Sequence, residues 1–261
     1  VIGTDEDLLR LRRAGRAAFP GFELTVLEAT ASTQDVVREA ARAGAGAGFS
    51  CLAGAQTAGR GRDDRRWSAP PGSALLCSLL VRPAVAALGW VPLAAGLAMR
   101  SAIALLSGYE AGLKWPNDVM AGRAKLAGVL CEVEPAAPGQ GPAVVIGVGV
   151  NIRVASFPAG VRGASLHELC ADPPTPATLF GGFVAELRPR LDQLEAAGPA
   201  ELRAEWLGHA VGLGEIVTAT SAAARVTGVA EDIDLDGALV LMTANGVVRV
   251  LAGDVHLGAP R

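Results

Sequence analysis

Lysine is almost missing from this chain. Only Lys114 and Lys125 occur, although Lys and Arg together number 23 in 261 residues. Charge of either sign is scarce at 19%, and the formal net charge is −3. A pI near 5.7 excludes a nucleic-acid binder of the ordinary basic kind, so no DNA partner is expected. The cysteines Cys51, Cys77, Cys131 and Cys170 contain no Cys-x-x-Cys pair, which excludes a zinc ribbon and thioredoxin-type redox chemistry. Three of them lie in apolar strand-like runs, where a free thiol behaves as a small hydrophobe. His167, His209 and His256 are far apart without ligand-like neighbours, so no protein metal site is expected. An unbroken apolar run of about 20 residues is also lacking. The longest stretch, Ala84 to Leu106, contains Pro92 and a central Arg100, a costly charge in a bilayer. A buried core helix is expected there. The N-terminal residues Val1 to Asp7 are acidic, opposite to a signal peptide's basic start. These absences together predict a soluble, cytoplasmic protein with no membrane partner.

What is present is apolar: 51% hydrophobic residues and a mean hydropathy of +0.36, enough for one large domain and a small module. Thr4 and Asp7 are spaced as a capping box for a helix to Ala18. Phe22 to Leu27 reads as a strand, and Ser32-Thr33-Gln34-Asp35 opens a helix with Val36, Val37, Ala40 and Ala41 on one face. Strands are expected at Phe49–Ala55, Ala74–Val81, Leu113–Trp115, Ala124–Val133 and Ala143–Val150. Helices are expected at Leu88–Leu106, from Thr175-Pro176 to Leu194, and at Pro199–Leu207. From Glu215 the rhythm changes to short β runs with hairpin turns at Asp236-Gly237 and Asn245-Gly246. The division expected is 1–212 for a mixed α+β unit and 213–261 for a small β-barrel-like module.

Three segments carry residues that propensity would not choose. Gly59-Arg60-Gly61-Arg62-Asp63-Asp64-Arg65-Arg66-Trp67 packs four arginines into nine positions. Such a loop is either a solvated basic face or an anion site, since guanidinium forks and glycine-flanked N–H groups suit phosphate and carboxylate oxygens. Its connection between two strands is long, as functional loops are. Lys114-Trp115-Pro116-Asn117-Asp118 reads as a strand leaving through a proline-fixed turn, with Lys125-Leu126-Ala127-Gly128 just beyond. In a chain that uses arginine for nearly all positive charge, two lysines bracketing one turn suggest a task for a compact ammonium; the alternative is a hairpin with incidental lysines. In Val145-Ile146-Gly147-Val148-Gly149-Val150-Asn151 the glycines and Asn151 share one strand face. Glycine there is expected to form a floor beneath a flat ligand, with Asn151 as its polar edge. A Rossmann reading fails because the third glycine and the βαβ unit are missing.

These motifs, with Ser32-Thr33-Gln34 and Gln56-Thr57-Ala58-Gly59 ahead of them, occur in one order from residue 25 onward. The set resembles the biotin protein ligase family, also called biotin–[acetyl-CoA-carboxylase] ligase or holocarboxylase synthetase. The resemblance implies a mixed β-sheet catalytic domain flanked by helices, of the class II synthetase/lipoyl-transferase kind, with a C-terminal SH3-like β-barrel. It implies an ATP-dependent enzyme with two half-reactions. Biotin's carboxylate attacks the α-phosphate of ATP to give biotinyl-5′-AMP and pyrophosphate. A lysine of a biotin carboxyl carrier domain, from an acyl-CoA or pyruvate carboxylase, then attacks the carbonyl and releases AMP.

By the same resemblance Lys125, Arg62 and Asp118 are the catalytic set, with Asp118 holding or deprotonating the incoming ammonium. Biotin falls to Ser32, Thr33, Gln34, Gln56, Arg60, Gly61, Arg62, Lys125 and Gly128. ATP falls to Arg60, Arg62, Arg65, Trp67, Lys114, Asn117, Lys125 and Asn151, with Mg²⁺ accompanying it. Familiar members carry glycine where this chain has Asp64, whose backbone tolerance is poorer and whose charge is adverse beside phosphate. A loop that orders only on binding ligand is expected. About 20 residues precede the first strand, too few for the DNA-binding domain of repressor members, so no repressor activity is expected. The assembly is expected to be a monomer or homodimer. Lipoate ligases and octanoyltransferases are the rival enzymes; a biotin sensor and an interaction scaffold are the non-enzymatic rivals.

Overall fold

The computed structural model describes residues 2–62, 65–135, 141–220, 225–251 and 253–257. Asp63 and Asp64 lie outside these, so the expectations attached to Asp64 and to the loop tip are not addressed by the fold. The helices are α1 (Asp5–Ala18), α2 (Thr33–Arg42), α3 (Val91–Ser107), α4 (Pro176–Ala197) and α5 (Ala200–Gly208). The first sheet uses β1 (Glu23–Leu27), β2 (Phe49–Ala53), β3 (Ala74–Val81), β4 (Gly112–Lys114), β5 (Asp118–Ala121), β6 (Ala124–Glu134) and β7 (Ala143–Asn151). The second uses β8 (Ile216–Thr220), β9 (Arg225–Ile233), β10 (Leu239–Thr243), β11 (Gly246–Val250) and β12 (Asp254–Leu257).

Local chemistry sets the helix ends. The Thr4 hydroxyl accepts from the Asp7 amide while Asp7 accepts from the Thr4 amide, a reciprocal capping box. Thr175 caps α4 ahead of Pro176, whose missing N–H costs nothing in a first turn. The left-handed Gly108 (φ 72°) ends α3. Val85–Ser107 is long and apolar enough by composition to cross a bilayer, but most of it is buried within the protein. Arg100, its central charge, is satisfied there: Nε donates to the Ala111 carbonyl at 3.0 Å and Nη2 pairs with Glu110.

The first sheet has the order β1-β2-β3-β7-β6-β5-β4, with β1 and β2 parallel and every other pair antiparallel. Alternation along β3 and β7 divides the residues between the sheet's faces. Leu75, Cys77, Leu79, Ile146, Val148 and Val150 join the main core with α1, α3 and α4. On the other face Leu80 and Val145 pack against Val37 and Ala41 of α2. Because α2 is only ten residues long, it does not cover that face, and Gly147, Gly149 and Asn151 lie where it stops.

The second sheet is antiparallel, in the order β11-β10-β9-β8-β12. Gly237 and Gly246 adopt positive φ (83° and 108°) at the two predicted turns. These five strands make the small C-terminal β module that was expected; among the described residues β11 and β12 are its two edges, with no closing pair between them. Two expected outlines change. Asn117 ends the turn, and Asp118 already belongs to β5, a strand that its Asn-Asp turn chemistry concealed. The four-residue β12 was too short and too polar to read.

Candidate active site

A cleft of about 300 Å³ opens on the face that α2 leaves bare. Every predicted site residue except Lys114 lines it: Ser32, Thr33, Gln34, Gln56, Arg60, Gly61, Arg62, Arg65, Trp67, Asn117, Asp118, Lys125, Gly128 and Asn151. At one end the N-terminus of α2 presents a polar cradle. The Thr33 amide donates to Gln56 Oε1 at 2.7 Å, and the Thr33 hydroxyl lies 2.8 Å from the buried Ser78 hydroxyl. Ser32 Oγ and Gln34 Oε1 are buried without a protein partner among the described residues. Buried polar atoms are nearly always bonded, so these two atoms mark places for a polar ligand.

Glycine on β7 has a reason different from the expected one. A Cβ at Gly147 would come within 2.7 Å of Gln34 Oε1, and one at Gly149 within 2.4 Å of Trp67 Cε2. The floor carries the chain's own Gln34 and Trp67 side chains rather than lying bare for a flat ligand. The Lys125 ammonium stands 5.7 Å from the Trp67 ring centroid, within cation–π range. Asn151 donates from Nδ2 to the Lys125 carbonyl (3.3 Å) and the Ala164 carbonyl (3.1 Å). It thereby fixes the backbone of that lysine. Asn117 clamps the same strand by donating to the Val129 carbonyl at 2.7 Å while accepting from the Val129 amide.

Both lysines converge on Asp118. Lys125 Nζ lies 2.5 Å from Oδ1 and Lys114 Nζ 3.0 Å from Oδ2. Burial alone would push this carboxyl up, but the two ammoniums outweigh burial and hold it below its ordinary value. Asp118 is therefore a firmly ionised anchor. Lys114 sits behind it, toward Trp206 and Val255.

The arginines divide into two sorts. Arg60 is committed: Nη1 is 2.7 Å from Asp35 Oδ1 and Nη2 is 3.4 Å from Glu132 Oε2. Burial opposes its charge, yet these carboxylates raise its pKa. Arg65 pairs with Asp254 on β12. Arg62 and Arg66, which also line the cleft, have no ion pair among the described residues and are open to an anion.

Several cleft residues were not anticipated. Phe157, Pro158 and Val161, on the segment after β7, form an apolar wall, and Asp254 reaches in from the second sheet. Glu132 was passed over too, although an acid within an apolar strand was a visible signal. Burial pushes the Cys51 thiol up to about 11 and the Cys131 thiol up to about 12.

Residues 26–151 match the Biotin/lipoate A/B protein ligase family, and residues 212–258 match the Biotin protein ligase C terminal domain. The chain is 37% identical to a biotin–[acetyl-CoA-carboxylase] ligase of Mycobacterium tuberculosis, over 97% of this chain and 99% of that protein. It is 36% identical to the enzyme of that name from Paracoccus denitrificans, over 79% of this chain and 89% of that one. The fold resembles the biotin protein ligase from Aquifex aeolicus in complex with biotin and ATP, with a TM-score of 0.78 at 24% identity, covering 91% of this chain and 99% of that one. The chain belongs to the biotin protein ligase family.

Proposed function

We propose that this protein is an ATP-dependent biotin–[acetyl-CoA-carboxylase] ligase that forms biotinyl-5′-AMP and passes the biotinyl group to a carrier-domain lysine. One observation carries the reading: Lys125, the open Arg62 and a polar cradle with unpaired buried acceptors all line a single cleft. Ser32, Thr33, Gln34, Gln56 and Gly128 surround the biotin end, with Arg60 and Gly61 lining its loop wall. Arg62 and Lys125 meet the carboxylate and α-phosphate oxygens, where preorganised positive charge lowers the barrier most. Trp67 and Asn151 take the adenine side, and Asn117 supports them through β6. Arg65 orders the loop against β12, and Lys114 acts through Asp118. That carboxylate's double pairing suits it to orienting Lys125 better than to deprotonating the incoming lysine.

Mg²⁺ enters as a counter-ion of ATP. Among the described residues no three His, Cys, Asp or Glu side chains gather to hold a metal, and no step is assigned to it. Residues 1–212 would form the biotin- and ATP-binding unit and 213–261 the supporting module. A cytoplasmic location and a carboxylase carrier domain as acceptor complete the proposal. Incubation with ATP, Mg²⁺, biotin and a purified carrier domain should give biotin-dependent pyrophosphate release and a carrier mass gain of one biotinyl group. Absence of both would refute the reading. Lipoate, supplied in competition, should not displace biotin.

A further inference from the structure

Glu132 stands outside the motifs that define the site, yet its carboxylate joins two of the cleft's walls. Oε2 accepts from Gln34 Nε2 at 2.9 Å and from Arg38 Nη2 at 2.5 Å, and lies 3.4 Å from Arg60 Nη2. Gln34 belongs to α2, whereas Arg60 opens the arginine loop. The loop is closed at its base by an Arg60–Arg66 bridge, and Asp35 completes the anchorage of Arg60.

The bond to Gln34 also fixes the direction of an amide. An ionised carboxylate can only accept, so it holds the NH₂ end. The Leu130 and Val145 carbonyls, 3.3 and 3.4 Å from Nε2, favour the same orientation. Oε1 is then the end left over, buried and without a protein partner. An amide fixed this way offers an acceptor to a ligand N–H, such as either nitrogen of a cyclic urea.

We propose that Glu132 is a specificity-setting positioning residue. It presents Gln34 Oε1 to a ureido N–H of the substrate and seats the arginine loop through Arg60. The choice of ureido ligand rests on the ligase reading; the seating of the loop does not. Glu132→Gln keeps the size of the side chain but removes the charge and lets both amides turn over. It should raise the KM for biotin by about tenfold, as losing a bond to a charged group does, while kcat at saturating biotin stays within about threefold of wild type. Glu132→Asp should recover part of the loss.

Limited trypsin digestion without any substrate supplies a second readout. Cleavage at Arg62, Arg65 and Arg66 should be faster in Glu132→Gln and in Arg60→Met. The two substitutions should be less than additive in log KM, because they break one shared contact. A biotin KM and a tryptic rate for Glu132→Gln within about twofold of wild type would overturn the proposal, as would strict additivity. If Glu132→Gln does not fold, an unchanged tryptic rate in Arg60→Met overturns the loop anchorage, and an unchanged biotin KM in Gln34→Ala overturns the ureido contact. Failure of wild-type protein to release pyrophosphate would instead count against the ligase reading, and the digestion would still test the anchorage.

Discussion

One carboxylate serving two ammoniums decides how Asp118 can act. A general base must accept a proton near neutral pH, and a carboxyl held below its ordinary 3.8 by two lysines is far from that. Its folded-state pKa is depressed, so its contribution to stability is complete above the unfolded value and fades as pH falls through the lower folded one. Across any neutral working range the anchor is intact. Asp118→Asn should therefore slow biotinyl-AMP formation and transfer together, by about 10²-fold, as misplacement of a reacting group by an ångström does. Pyrophosphate release and single-turnover transfer from isolated biotinyl-AMP measure the two steps separately. Loss of transfer alone would return Asp118 to the role of base.

At the scale of the element, β7 illustrates what a strand pattern reveals and what it hides. Two glycines on one face announced a close approach, and that much was legible from alternation. The approaching groups were not, because Gln34 and Trp67 arrive from 113 and 82 positions away in the sequence, by way of α2 and the arginine loop. Helix ends and the longer strands were readable because capping hydroxyls, prolines and apolar runs act locally. The shared anchor of Lys114 and Lys125, the commitment of Arg60 to Asp35 and the part played by Glu132 all depend on tertiary pairing, for which no local pattern exists. β5 and β12 escaped for a related reason, since very short strands are specified by their neighbours. The same geometry yields a prediction. Alanine at Gly149 would meet the Trp67 ring at 2.4 Å and must displace it, at a cost of about 1–3 kcal/mol. Gly149→Ala should retain its circular-dichroism spectrum, lose several degrees in Tm and raise the KM for ATP more than that for biotin. Unchanged KM values would remove Trp67 from the nucleotide side.

Across the whole molecule the two sheets are joined through backbone as well as side chains. Trp90 Nε1 donates to the Leu235 carbonyl at 2.8 Å and Trp115 Nε1 to the Gly237 carbonyl at 2.9 Å. Gly89 and Gly237 approach so closely that a Cβ on either would strike the other segment's backbone. Arg203 pairs with Asp232, and Arg123 bonds Glu215 at 2.7 and 2.8 Å. Separating the sheets would leave both indole N–H groups to be satisfied by water and expose the apolar faces that Trp90 and Trp115 cover. Differential scanning calorimetry should accordingly show one transition, with calorimetric and van't Hoff enthalpies equal. Two resolved transitions would mean that the second sheet is only loosely attached.

The pairing of both lysines with Asp118 has one further consequence. On the proposed function the protein holds a mixed anhydride that any neighbouring free amine could capture. Lys114 and Lys125 are half-buried, and both are paired with Asp118. Neither of these two lysines thus offers a ready free amine to the reactive intermediate.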